Sequence, residues 1–222
     1  MWKEIIENTD AVIFDLDGTI VDSMWIWRQI DIDYFGRFGM SIPEEYQHEI
    51  EGLSYYETAV YTHEHYLPQV SVEQMMEDWN DMAYDHYVND VTPKEKIKEF
   101  LEHLSGHGCK LGVATSNSKV LCNAVLEKNG LRDYFDIVLT GDECGAGKPA
   151  PDVYLNCAAA LAVAPERCLV FEDLCNGIIA GKRAGMTVVT IDDEYSAYQW
   201  EDKCEKADHN IRSYREITDE IC

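Results

Sequence analysis

The chain has 222 residues, 46% of them hydrophobic and 11% aromatic, enough for one full-cored domain plus a smaller one and too apolar for a disordered chain. Its 42 acids against 18 bases leave a net charge of −24, which argues against nucleic-acid backbones and anionic membranes as partners. A small anionic substrate stays open, because a metal and a few bases can reverse the sign inside a cleft.

The first predicted strand is "AVIFD" (11–15), running into two aspartates two residues apart, Asp15 and Asp17. The stretch 22–91 then lacks any apolar strand and is rich in helix formers and aromatics, so it reads as an all-helical insertion. Next, "TPKEKIKEFLEHLSGHG" predicts a helix opened by a capping box at Thr92 and Glu95, with Pro93 in the first turn and Gly106 as its stop. Strands are expected at 110–114, 136–140, 168–172 and 187–191. Between them lie helices at roughly 118–129, after "KPAPD", and at roughly 176–184, the first and last stopped by Gly130 and Gly185. Strands apolar throughout and separated by single helices imply an α/β fold, a parallel sheet with helices on both faces. No run approaches the ~20 apolar residues of a membrane span. The N-terminus "MWKEIIENTD" lacks the apolar stretch of an export signal. The eight cysteines form no CxxC pair and are expected to be reduced core residues in a cytoplasm.

Ligands of open parallel sheets bind outside the carboxyl ends of the strands, and four of these strands lead there into polar groups. They are Asp15 and Asp17; Thr115, Ser116 and Asn117; Lys148 in "GAGKPAPD"; and Glu172 with Asp173. Two carboxylates beside a buried strand are costly unless something positive lies between them. The candidate is Mg²⁺, whose preference for hard oxygen ligands and for substrate phosphate oxygens matches Asp15, Asp17, Glu172 and Asp173 with a lysine and hydroxyls nearby.

"DLDGT", "VATSN", "GKPAPDVY" and "VFEDLCNGIIAGKRAGM", in that order, resemble the four motifs of the haloacid dehalogenase superfamily, in the subgroup of β-phosphoglucomutase and phosphoglycolate phosphatase-like enzymes. The resemblance covers the whole chain. It implies a Rossmann-like core from 1–21 and 92–222, an inserted helical cap at 22–91, magnesium, and phosphoryl transfer through an aspartyl-phosphate. On it, Asp15 is the nucleophile and Asp17 the acid and base, with its backbone carbonyl on the metal. Thr115, Ser116 and Asn117 hold phosphoryl oxygens, Lys148 offsets charge, Asp173 completes the metal shell, and Glu172 is a ligand or stands behind one.

Thr19, after the motif glycine, is the phosphatase habit, whereas the mutase has an aliphatic residue there. The mutase also uses a histidine early in the first cap helix, and a lysine and an arginine flanking a glycine. Here those positions carry Trp27, Glu51 and Tyr55 around Gly52, none of them basic. The expected protein is therefore a monomeric phosphatase acting on a small phosphorylated metabolite. A mutase using the same intermediate is the alternative, and a non-catalytic phosphate-binding protein a remote one. A true dehalogenase is disfavoured because the second aspartate is kept. The connections near 21–23 and 89–92 are expected to hinge.

Overall fold

The computed structural model describes residues 1–221. After helix α1 (Trp2–Glu7) comes strand β1 (Ala11–Phe14), which pairs in parallel with β4 (Lys110–Thr115) and β6 (Cys168–Glu172). Strands β5 (Ile137–Thr140), β7 (Thr187–Ile191) and β8 (His209–Ile211) complete a six-stranded, all-parallel sheet in the order β5-β4-β1-β6-β7-β8. This is the expected α/β architecture. The five predicted strands are present within a residue of their expected ends. The sixth, "HNI", was not foreseen, since three residues with one buried apolar side chain carry no strand signal of their own.

Side chains along β1 alternate between two cores, as a pleat requires. Val12 and Phe14 join the larger one, with Phe100, Phe171 and Tyr214, while Ala11 and Ile13 join the other, with Val170, Tyr154 and Cys157. Phe14 stacks on Phe171 at 5.1 Å and meets Phe100 and Phe135 edge-on. Such pairs are each worth about 0.5–1.5 kcal/mol beyond the area they bury. The larger core takes helices α6 (Ile97–Gly106), α7 (Lys119–Lys128) and α10 (Arg215–Ile221); the other takes α8 (Asp152–Leu161) and α9 (Cys175–Arg183). The seven described cysteines are free.

Between the strands β2 (Val21–Asp22) and β3 (Thr92–Pro93) every element is helical: α2 (Met24–Arg37), α3 (Tyr46–Ile50), α4 (Tyr55–His65) and α5 (Val72–Asn89). The expected capping box at Thr92 does not form. Thr92 and Pro93 pair antiparallel with Asp22 and Val21, so the two connections make a ribbon and α6 starts later, at Ile97, behind Lys96 in the left-handed region (φ 67°). Strand pairing 70 residues away in sequence overrides the local cap. Gly106 is likewise the last residue of α6 rather than its stop, and the left-handed glycine is Gly108 (φ 79°). Gly130 and Gly185 do adopt positive φ just past their helices, as expected. Among the described residues no helix is long and apolar enough to cross a membrane.

Candidate active site

Asp15 extends the β1 ladder by one bond, its amide donating to the Phe171 carbonyl at 3.0 Å. The chain then folds on itself, with the amides of Ile20 and Val21 both donating to the Leu16 carbonyl. That turn sends the two aspartates of the pair to different partners. Asp15 meets Lys148, whose Nζ donates to Asp15 Oδ1 at 2.6 Å and to Glu172 Oε1 at 2.5 Å. Asp17 instead accepts from Ser23 Oγ at 2.5 Å, from the Tyr87 hydroxyl, and from Asn117 Nδ2 at 2.8 Å.

Glu172 is fully engaged. Oε1 also accepts from the Tyr154 hydroxyl at 3.0 Å, and Oε2 from the amides of Asp173 and Leu174 at 2.8 and 3.0 Å. Asp173 is not. Its Oδ1 accepts from Thr19 Oγ1 at 3.1 Å, but its buried Oδ2 has no partner. A Cβ on Gly18 would lie 2.4 Å from that oxygen, so only glycine (here at φ 79°) leaves the space beside it.

The cluster is dry: Asp15, Lys148, Glu172 and Asp173 are 7%, 4%, 1% and 0% exposed. Burial pushes Asp15 up, to about 8, while Lys148 pulls it down and Glu172 and Asp17 push it further up. Burial likewise lifts Asp173 well above the usual carboxylate range, helped by Glu172, Asp15 and Asp193. Burial depresses Lys148, but Asp15 and Glu172 more than reverse this, so it stays charged. Fully ionised, the three carboxyls against one ammonium sum to −2, the charge a divalent cation neutralises. Ligand atoms of Asp15, Glu172 and Asp173 lie within 4.8 Å of one another. With an unpartnered hard oxygen among them, the residues fit such an ion. The Asp17 carboxylate stands outside that group, held by Ser23, Tyr87 and Asn117, and within the group Glu172 is the one with both oxygens already committed to other donors.

Of the other expected phosphate contacts, Thr115 Oγ1 accepts the Asn117 amide at 3.0 Å and keeps its own proton to give. Ser116 Oγ is within 3.4 Å of the Gly52 carbonyl. Asn117 departs from expectation: its Oδ1 takes the Ser118 amide and its Nδ2 serves Asp17 and Tyr87, leaving no side-chain donor for a phosphate.

The model of a family described as "Haloacid dehalogenase-like hydrolase" matches residues 12–191. The chain belongs to that family. Its members work with a divalent metal, in keeping with the carboxylate cluster. Fructose-1-phosphate phosphatase YqaB of Escherichia coli is 29% identical over 186 residues, 83% of this chain and 97% of that one. A phosphorylated carbohydrates phosphatase of Thermotoga maritima is 28% identical over 177 residues, 80% of this chain and 82% of its own. A solved β-phosphoglucomutase from Clostridium difficile is 25% identical and covers 94% of this chain and 92% of its own, with a TM-score of 0.79.

Beside the cluster lies a cavity of about 540 Å³ walled by the sheet edge and the helical insertion. The four insertion residues expected to set specificity all border it, yet their polar atoms are largely spent on the protein. Trp27 Nε1 donates to the Tyr87 hydroxyl at 2.8 Å. Tyr55 is wedged edge-on between Trp27 and Trp79 and donates to the Met76 carbonyl at 3.2 Å. Glu51 Oε2 accepts from Gln199 Nε2 at 2.6 Å and Tyr198 at 3.1 Å, across to the core. Gly52 (φ 84°) lies so close to the Lys148 carbonyl that a Cβ would approach to 2.7 Å. Further along, Ser54 caps α4, and the Glu57 carboxylate that completes its capping box also accepts the Gly147 amide at 3.0 Å. Three further residues were missed in the sequence: Tyr87, Tyr154 and Asp31, a buried carboxyl on the cavity wall held by Gln47 at 2.5 Å. Tyr154 closes the "GKPAPDVY" string, but no motif flags Tyr87 or Asp31, which only packing brings to the site.

Proposed function

We propose that this hydrolase is a Mg²⁺-dependent phosphatase that cleaves a small phosphorylated carbohydrate through a covalent phosphoryl group on Asp15. Residues 22–91 act in it as a cap over a core formed by 1–21 and 92–222. The observation that carries the reading is Lys148 bridging Asp15 and Glu172 beside the unpartnered Asp173 oxygen. The named relatives, phosphatases of sugar phosphates, supply the substrate class.

The residues divide the work. An Asp15 carboxylate oxygen attacks phosphorus in line as the bond to the bridging oxygen breaks, splitting one difficult displacement into two. Asp17 protonates the departing oxygen; burial raises it, against the donors that surround it, which favours the protonated form an acid needs. Water then attacks phosphorus and gives its proton to Asp17, and the Asp15–phosphorus bond breaks to release phosphate. Lys148 and the Thr115 hydroxyl neutralise charge on the transferring group. Asp15, Asp173 and the backbone carbonyl of Asp17 would hold Mg²⁺, with Glu172 securing Lys148 instead. When bound, the ion supplies the positive charge that the cluster lacks. Among the described residues lining the cavity, Arg28 and Lys148 are the only basic ones, which suits one phosphate rather than two.

The test is phosphate release from a panel of sugar monophosphates. Chelation of divalent ions abolishes turnover and magnesium restores it, and Asp15→Asn is inactive yet folded by circular dichroism. Turnover by Asp15→Asn at the native rate refutes the nucleophile. Efficient conversion of β-glucose 1-phosphate to glucose 6-phosphate with a bisphosphate primer replaces the phosphatase reading with a mutase.

A further inference from the structure

The hydrogens around Asp17 can be counted. Tyr87, on α5, is fully buried, and its hydroxyl oxygen accepts from Trp27 Nε1 and from Asn117 Nδ2, both at 2.8 Å. An indole nitrogen only donates, and the Asn117 amide is fixed with its nitrogen inward because its oxygen takes the Ser118 amide at 2.6 Å. Both acceptor positions of the phenol are thereby filled. Its single proton has one outlet, Asp17 Oδ1. The same Oδ1 accepts from Ser23 Oγ, whereas Oδ2 receives only the second Asn117 amide hydrogen at 2.8 Å and keeps a lone pair. Trp27 and Tyr87 belong to α2 and α5 of the insertion; Asn117 and Asp17 belong to the core loops. Beside them, Ser118 Oγ donates to Asn80 Oδ1 at 2.5 Å, joining the start of α7 to α5.

We propose that Tyr87, oriented by Trp27 and Asn117, is the positioning residue of the acid: it saturates Asp17 Oδ1 so that Oδ2 is the oxygen that exchanges a proton with the substrate, and only while the insertion is seated on the core. The proposal rests on the phosphatase reading. In the first half-reaction the proton on Oδ2 passes to the bridging oxygen as that oxygen leaves phosphorus and Asp15 bonds to it. In the second, the attacking water returns a proton to Oδ2 as Asp15 is released. An insertion swung off the core carries the phenol with it, leaving the carboxylate free to rotate and either oxygen open to solvent.

A leaving group that departs without a proton should not feel this arrangement, whereas an alkoxide should. The experiment therefore compares kcat/KM for glycerol phosphate and for 4-nitrophenyl phosphate, in the wild type and in Tyr87→Phe. This ratio reports steps up to the first departure, so hydrolysis of the intermediate does not enter. General acid catalysis contributes about 10²–10⁴-fold, and misplacing the acid should remove part of that. We expect a loss of roughly 30-fold on glycerol phosphate and under about 3-fold on 4-nitrophenyl phosphate. Trp27→Phe, which removes the N–H together with the pyrrole part of the ring, should show the same bias at about 5-fold, and it carries the test alone if Tyr87→Phe does not fold. Equal losses on both substrates, or none on either, overturn the positioning role. A wild type that releases phosphate from neither substrate overturns the phosphatase reading and this proposal with it.

Discussion

Two carboxylates line the same cavity, each 7% exposed, and the protein treats them in opposite ways. Asp15, at the edge of the sheet, is given a cation at 2.6 Å and two more acids for neighbours. Asp31, on α2 of the insertion, is given one amide, Gln47, and no cation. Burial alone lifts the Asp31 carboxyl to about 7, with Gln47 opposing. Burial raises both carboxyls, Asp15 to about 8 and Asp31 to about 7, but the carboxyl end of the sheet sets a cation against its acid whereas the insertion opposes its own with a neutral amide alone. One wall is built to process an anion and the other to enclose it with aromatic faces whose polar atoms are largely engaged within the protein.

The contrast breaks most severely at Lys148. Lys148→Ala should lower kcat about 10³-fold, the scale of a lost electrostatic donor to the reacting group. It should also destabilise by about 3–5 kcal/mol, because Asp15 and Glu172 are left as uncompensated buried charges. Denaturant melts of the double variant Lys148→Ala/Glu172→Gln separate the two effects: stability returns in part and activity does not.

At Asp31 the sign reverses. Its carboxyl binds a proton more readily folded than unfolded, so between about pH 4 and 7 the native state holds more protons, and stability falls as pH rises through that window. Asp31→Asn keeps an acceptor for Gln47 and removes the titration. It should stabilise the protein at pH 8 by about 2–4 kcal/mol, as expected for a pKa displaced by some three units. The gain should shrink toward zero near pH 4, and urea melts at the two pH values check it. A constant difference would mean that Asp31 is already paired in the folded protein.

The smallest effect belongs to the junction between the two walls. Gln199→Ala removes the bond to Glu51, worth about 1 kcal/mol. It should cost kcat/KM for the physiological substrate no more than about 5-fold, measured by phosphate release.

The same contrast decides what the sequence reveals. Residues at or just past strand ends, such as Asp15, Thr115 and Asp173, are legible because a strand fixes where its last residue points, while Lys148, in the loop well beyond β5, is legible only from its short string. The insertion offers no such rule. Tyr87 reaches Asp17 from 70 residues away, and Glu51 meets Gln199 from 148 residues away, so their roles follow from how helices pack and not from any local pattern. The capping box at Thr92 misled for the same reason: a local preference worth about 1 kcal/mol gave way to pairing with a distant strand. Asn117 shows the limit even at the sheet edge, where position was readable but the direction of the amide was not.

Glu57 carries a last consequence. One carboxylate both closes the first turn of α4 and accepts the amide of Gly147, next to Lys148, and a Cβ at 147 would come within 2.3 Å of it. The insertion and the lysine loop are therefore not interchangeable parts. A chimera that grafts another protein's helical segment between β2 and β3 must bring an acceptor at this position and keep residue 147 free of a side chain. Recombination among relatives is thus constrained at a pair of residues that never touch the reacting atoms.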